Sequence, residues 1–496
     1  MNVEQLEPKE CFTWFGEIAK IPHGSHNEKQ ISDFLVRFAQ ERNLDVSQDS
    51  LGNVCVKKPA TKGMENAPAV ILQGHMDMVC VSEQGKPVDF EKDGIEIVVN
   101  GDAVTANGTT LGADNGIALA YILALLDASD IPHPALEAVI TAQEEVGMGG
   151  AANFDVSGLN GTCFINIDSE EEGVFCVSCA GGRRSVVTLP VLPQPVDSVP
   201  GNGKYTAYTV SISGLAGGHS GMEIDKQRGN ANRLMGRILT SFVEKYDLYL
   251  ADICGGSATN VIPSEASMTV FTVAGEDEIQ ADVAAWREIF AHELAASDGA
   301  GLAMSVKKTS GVTTVFAKEV AAKVAALLTL LPDGTIRMDL NITTQKLVES
   351  SSNIGMVRTE GGNVAVSSLT RSSVGSQKEL IYSQIAQIAR LVGAEIEFFG
   401  DYPAWEFNPD SKLQPVFQEA FTALFGKEAA VEGIHAGLEC GLFFEKFHAL
   451  GRHMDFIAFG PNISGAHTTK ETVSRASVEN MWKLLQEVLR RLGAAR

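Results

Sequence analysis

Residues 69–79 read AVILQGHMDMV, an apolar run that ends on His75 and Asp77. A short apolar run closed by polar residues reads as a buried strand. Residues two apart on a strand point to the same face, so His75 and Asp77 emerge together at its carboxyl end. There a ring nitrogen of His75 can meet a metal ion while Asp77 orients the ring or the ligand from behind. A histidine beside an aspartate is also an ordinary surface hydrogen bond, so the pair alone says more about the strand than about the chemistry.

Around this segment, residues 53–56, Leu136–Thr141 and 163–168 are further short apolar runs, and 13–21, 27–42 and 116–128 carry helical periodicity, with Asn27 the expected N-cap of the second helix. Strands alternating with helices predict an α/β fold with a mostly parallel sheet. Such sheets take their ligands at the carboxyl ends of the strands.

Those ends, and one loop, carry more ligand-type residues. LGADNGIALA places Asp114 just before a helix, where Asp or Asn is ordinarily a cap; its two oxygens can also bridge paired metals. In TAQEEVGMGGA, Glu144 and Glu145 follow a strand and repel each other unless a cation intervenes, so that one ligates and its neighbour is free as general base. FINIDSEEEG ends a strand on Asp168, and FGPNISGAHTTKE delivers His467 on a loop. Mixed nitrogen and oxygen donors without thiolate suit a catalytic zinc site rather than a structural one.

The chain has 496 residues with 39 basic and 62 acidic side chains, a net charge of −23. That surface repels phosphate backbones and anionic headgroups, and no Lys or Arg run compensates, so neither nucleic acid nor membrane is expected as a partner. The acidic start MNVEQLEPKE is unlike a signal peptide. Eight cysteines form no disulfide framework; Cys176 and Cys179 have CxxC spacing without a second pair and are expected in a buried strand. A reducing cytoplasm is the expected location.

From about residue 205 the rhythm changes to strand 205–213, helix 229–245, strands 248–253 and 266–273, helix 276–296 and strand 302–308. Helix 316–331, strands 336–341 and 363–369, helix 376–392 and strand 394–398 follow, so the middle of the chain reads as two ferredoxin-like units. Helices 412–425, 437–444 and 477–489 with strand 455–459 then return to the first style. The expected organisation is a discontinuous catalytic metal-binding domain, residues 1–184 and 400–496, around an inserted α+β lid, residues 185–399.

Taken together, His75-Met76-Asp77, Leu111 to Gly116, Glu144-Glu145, Asp168 and Ser464 to His467 resemble the five motifs of the co-catalytic zinc exopeptidase family that contains carnosinase, tripeptidase T and carboxypeptidase G. The resemblance implies that His75 and Asp168 bind one Zn²⁺, that Glu145 and His467 bind a second, and that Asp114 bridges them, with Co²⁺ or Mn²⁺ as possible substitutes. It implies Glu144 as general base and acid acting on solvent held between the zinc ions, and Asp77 as the clamp on the His75 ring. His219 in SGLAGGHSGMEID and Asn260 in SATNVIPSEA become lid residues that reach the substrate carbonyl or carboxylate. Arg371 becomes the clamp on the substrate's C-terminal carboxylate, since a guanidinium pairs with it bidentately, and His435, in GIHAGLEC, a wall of the pocket.

The long insertion and the INIDSEEEG and HAGLEC segments resemble, within that family, dipeptidases acting on Xaa-His, and the resemblance implies such substrates, including β-alanyl-histidine, and a homodimer formed through the lid. The competing readings are an N-acyl amino acid deacylase or a broad di- and tripeptidase on the same metal core, and a binding protein that keeps the fold without catalysis.

Overall fold

Val70–His75 lies in the middle of an eight-stranded sheet in the computed structural model, which describes residues 3–494. The spatial order is Asp45–Gln48, Val54–Lys58, Leu136–Thr141, Val70–His75, Cys163–Asn166, Asp455–Ala458, Val174–Cys179 and Ala430–Ile434. The four strands from Leu136–Thr141 to Asp455–Ala458 run parallel, whereas Asp45–Gln48 and Val54–Lys58 pair antiparallel with their neighbours. All six residues of Val70–His75 are buried. A parallel strand covered on both faces reads as a continuous apolar run rather than an alternation, which is why AVIL carries no polar break.

The helix Ala113–Asp127 covers this sheet and is apolar on every side, with Ile117 to Leu126 all buried. It is wedged between the sheet and its neighbours: Gly116 packs against Phe15, and Tyr121 stacks on Trp482 at 5.6 Å. The second helix runs Lys29–Glu41, not from Asn27. Glu28 holds its N-cap position without a side-chain cap bond, and the Asn27 amide turns toward the Glu91 carbonyl instead. Cys176 and Cys179 lie in the buried strand Val174–Cys179, where burial pushes their thiols up to about 12 and about 11.

The middle of the chain forms a nine-stranded antiparallel sheet. Its first unit places Ala303–Thr309, Thr206–Ser213, Ala266–Thr272 and Leu248–Gly255 side by side, which is chain order 4-1-3-2. With helices Ala231–Lys245 and Glu276–Glu293 as crossovers, this is a ferredoxin-like unit. The second unit has the mirrored order: Val348–Glu360, Asn363–Ser372, Gly181–Pro190, Glu395–Tyr402. Its first strand is therefore Gly181–Pro190, so the first unit is inserted between the first strand and first helix of the second. The two units join at Gly255 opposite Val357.

Two expectations change here. The second-unit strand expected at 336–341 is the short Gly334–Met338, which only flanks the sheet, while the main strand is Val348–Glu360, a stretch without strand-like patterning in the sequence. The lid strands also reach Gly181 and Tyr402, so the divisions expected at 184/185 and 399/400 fall inside strands. Val348–Glu360 lacks an apolar signature because its buried stretch Ser350 to Asn353 is polar. Ser350 bonds Ser372 across the sheet at 2.9 Å, Ser352 bonds Thr370 at 3.1 Å, and the Asn353 amide donates to the Thr259 and Val261 carbonyls. Buried polar groups are tolerated when paired in this way. Among the described residues no helix is long and apolar enough to cross a membrane.

Candidate metal centre

Five segments separated by up to some hundreds of residues converge at the carboxyl end of the parallel strands. His75 closes Val70–His75, and its Nε2 lies 3.2 Å from Asp114 Oδ1 and 3.4 Å from Asp168 Oδ1. His467 Nε2 lies 3.1 Å from Asp114 Oδ2 and 3.0 Å from Glu145 Oε2. The two oxygens of Asp114 therefore face two different clusters, His75 with Asp168 and His467 with Glu145.

The loop that carries Asp114 is not a cap. Asp114 and Asn115 are non-helical, and Gly112, in the left-handed region, stands at the N-cap without a side-chain bond. Asn115 ties this loop to the sheet: its Oδ1 accepts from the His75 backbone N–H at 3.1 Å, and its Nδ2 donates to the Ile167 carbonyl at 2.7 Å and Asp168 Oδ1 at 2.9 Å. Gly74 permits the approach, since a Cβ there would sit 2.5 Å from Asn115 Oδ1.

Asp77 does two things. The His75 Nδ1 lies 3.0 Å from the Asp77 backbone carbonyl and 3.6 Å from its carboxylate, so the ring is held chiefly by the main chain. The carboxylate accepts from the Glu144 and Glu145 backbone N–H groups at 2.9 and 3.2 Å and from Ser25 Oγ at 2.8 Å, fixing the turn that presents both glutamates.

The site is strongly negative. Burial pushes the Glu144 carboxyl well above its usual range, and Asp168, Glu439 and Glu145 add to this against the pull of His75. Asp168 is likewise pushed up to about 6, mainly by burial. Hydrogen bonds to Asp114 and Glu145 raise His467 to about 11. A histidine held this high reports a strongly negative surrounding. Glu145 Oε1 is buried without a hydrogen-bond partner.

The donor geometry suits metal ions. A tetrahedral ion with bonds of about 2.0–2.2 Å sets its ligand atoms about 3.3 Å apart, and the histidine-to-carboxylate distances here are 3.0 to 3.4 Å. Asp114, Asp168, Glu145 and the neighbouring Glu144 together carry four negative charges when ionised, which two divalent cations balance. These residues could hold two ions.

The cluster forms the floor of a cavity of about 700 Å³ whose walls include Gly221, Met222, Asp225, Leu347 and His435. Of the four residues expected to meet substrate, His435 lies on this wall, with Nε2 2.7 Å from Ser351 Oγ. His219, Asn260 and Arg371 are set back from it. A Cβ on Gly221 would stand 3.0 Å from the His219 ring and 3.3 Å from Arg371 Cζ, so both crowd behind that one glycine. His219 Nδ1 accepts from the Gly221 and Met222 N–H groups, which leaves Nε2 as its donor in the neutral ring. Asn260 precedes Val261–Ile262, the two-residue strand paired with Gly218–His219. Arg371 is buried, and its Nη1 donates to Tyr402 Oη at 2.7 Å.

Comparison with known proteins now decides the family. A profile of Peptidase family M20/M25/M40 matches residues 71–491. The chain is 36% identical over 494 residues to the cytosol non-specific dipeptidase of Escherichia coli strain K12, covering 99% of each. The chain belongs to peptidase family M20/M25/M40. As a member it is a hydrolase acting on peptide bonds. The aminoacylhistidine dipeptidase structure from Vibrio alginolyticus superposes with a TM-score of 0.93 at 36% identity, covering 99% of this chain and 98% of that one. The aminopeptidase PepT structure from Bacillus cereus, at 14% identity and a TM-score of 0.55 over 98% of this chain and 99% of that one, shares the M20 fold.

Sequence reading missed Asn115 as a tether, Ser25, Tyr402, and Glu471, whose carboxylate lies under the Asp114 loop. Their partners are mostly backbone groups or side chains far along the chain. The one available signal was an acid four residues after His467 in HTTKE.

Proposed function

We propose that this M20 peptidase hydrolyses unblocked dipeptides, preferring Xaa-His substrates such as β-alanyl-histidine, with two Zn²⁺ ions per subunit. The observation that carries the proposal is Asp114 divided between two histidine-carboxylate clusters beside the half-buried Glu144. His75, Asp114 and Asp168 would hold one ion, and Asp114, Glu145 and His467 the other. When bound, such ions polarise a carbonyl and lower the pKa of a water molecule to about 7.

The protein's own groups then act in sequence. Glu144 takes a proton from the attacking water and delivers it to the departing amine, a role that a carboxyl with a raised pKa performs well near neutral pH. Asp77 holds Glu144 and Glu145 by their backbone N–H groups so that neither swings away. The His219 Nε2–H is a donor for the oxygen that gains charge as the carbonyl carbon becomes tetrahedral. Arg371 has a buried Nε without a partner and is the candidate for the substrate carboxylate. Glu170, Asp225 and Glu432 on the cavity wall favour a free ammonium over an acylated amine, which supports a dipeptidase over a deacylase.

The names of the two relatives at 36% identity support dipeptides as the class and differ on breadth. A cytoplasmic setting agrees with the cytosolic relative and with eight free cysteines. The acidic surface supports a protein without nucleic acid or membrane partners. A lid-mediated homodimer is supported by the open edges of the lid sheet at Ala303–Thr309 and Glu395–Tyr402; its check is sedimentation of the intact protein. The function itself is tested with a dipeptide panel varying the C-terminal residue and pairing each peptide with its N-acetyl form. Fastest turnover of free Xaa-His peptides supports the proposal. Equal or faster turnover of the acetylated forms contradicts it.

A further inference from the structure

The hairpin that delivers His467 also carries Glu471, and the two residues grip the same segment from different sides. Glu471 is buried, and its carboxylate accepts four backbone hydrogen bonds from the loop before the helix Ala113–Asp127. Oε2 takes Leu111 N–H at 2.7 Å and Gly112 N–H at 3.0 Å; Oε1 takes Ala113 N–H at 2.7 Å and Asp114 N–H at 3.2 Å. A carboxylate offers about four lone-pair sites, and here all are used. The distance between Glu471 and His467 is set by the hairpin itself. Thr468 N–H and Oγ1 both donate to the Gly465 carbonyl, Glu471 N–H donates to the Thr468 carbonyl, and Thr105 Oγ1 donates to the Glu471 carbonyl.

We propose that Glu471 is a positioning residue that fixes the bridging carboxylate of Asp114 at the correct distance from His467, and so sets the second metal pocket. The proposal rests on the di-metal reading of the site. Asn115 already ties Asp114 to the His75 and Asp168 side. Among the described residues, the hydrogen bonds that join the Asp114 segment to the His467 hairpin come from the His467 ring and Glu471. Glutamine at 471 keeps the shape but supplies only one acceptor oxygen, and its NH₂ group faces backbone N–H donors. Two of the four N–H groups then lose their acceptor, and the loop can move away from the hairpin.

The test is metal binding rather than turnover. Metal-free wild type and Glu471→Gln are titrated with Co²⁺ under equilibrium dialysis, with visible absorption recorded at each equivalent. The wild type is expected to bind two equivalents. In Glu471→Gln the first equivalent is expected to bind normally and the second about ten-fold or more weakly, with an altered spectrum. Glu471→Asp, which keeps the charge on a shorter arm, is expected to recover part of the loss. Unchanged affinity and spectrum for both equivalents in Glu471→Gln would overturn the proposal. A wild type that binds one equivalent or none would instead overturn the di-metal reading beneath it. If Glu471→Gln does not fold, hydrogen exchange of the metal-free wild type decides: the amides of 111–114 and 464–471 are expected to open together, with protection within about two-fold. Independent opening of the two segments would overturn the proposal.

Discussion

At the level of single residues, Glu144 carries the sharpest expectation. Glu144→Gln removes the proton acceptor while leaving the metal donors in place, so kcat is expected to fall by about 10²–10⁴-fold with two metal equivalents still bound. Steady-state kinetics with metal analysis of the same sample checks this; activity within about ten-fold of wild type would exclude Glu144 as the base. His435 gives a separate prediction about pH. Burial first, and the Arg371 charge second, lower its pKa to about 3. The folded state therefore binds fewer protons there than the unfolded state between about pH 3 and 6.5, so the contribution of His435 is complete above 6.5 and is lost as pH falls toward 3. In His435→Gln the fall in stability from pH 6.5 to 4.5 is expected to be shallower, by up to about 1.4 kcal/mol per pH unit, measured by urea unfolding. Glu144 was legible in the sequence because it follows a short apolar strand, whereas His435 was expected from the GIHAGLEC segment before a helix. Glu471 and Asn115 were not legible, because what makes them matter is a set of backbone groups that only the fold brings near.

At the level of elements, Arg371, Gly182 and Tyr402 stand opposite one another on three adjacent lid strands. The missing side chain of Gly182 lets the Tyr402 ring lie across its strand toward Arg371, and a Cβ there would collide with Tyr402 Oη. Gly182→Ala is therefore expected to break the Tyr402–Arg371 hydrogen bond and raise KM for free dipeptides about ten-fold or more, with dipeptide amides little affected. Equal effects on both substrates would contradict Arg371 as the carboxylate clamp. The elements themselves were unevenly readable. Apolar strands such as Val70–His75 announced themselves, whereas Val348–Glu360 did not, since its buried serines and asparagine satisfy one another across the sheet. The first strand of the second lid unit was hidden for another reason: a whole unit separates it from the helix that follows it in the fold.

At the level of the molecule, two large cores, one under the catalytic sheet and one under the lid, share a single continuous chain. The candidate metal donors all lie on elements of the first, on either side of the insertion between Asp168 and His467. Chelation is expected to lower the melting temperature of the catalytic transition by several degrees, since ions held at about 100 times their Kd contribute about 2.7 kcal/mol. The lid transition should stay where it is, and scanning calorimetry distinguishes the two. A shift of both transitions together would show one cooperative unit instead. The broad organisation was readable because the rhythm of strands and helices changes at the insertion, while the joining of the two units into one sheet runs through the Gly255 and Val357 pairing and the Arg358 and Thr359 side chains, which bond the Gly255 and Ile253 backbones.

The proposed function needs two metal ions held through Asp114 for hydrolysis of free dipeptides. Its most direct test is turnover of β-alanyl-histidine by metal-free enzyme titrated with Zn²⁺, with bound metal counted per chain. The account predicts little activity at one equivalent and a steep rise as the second binds. Full turnover at one equivalent or fewer would contradict it.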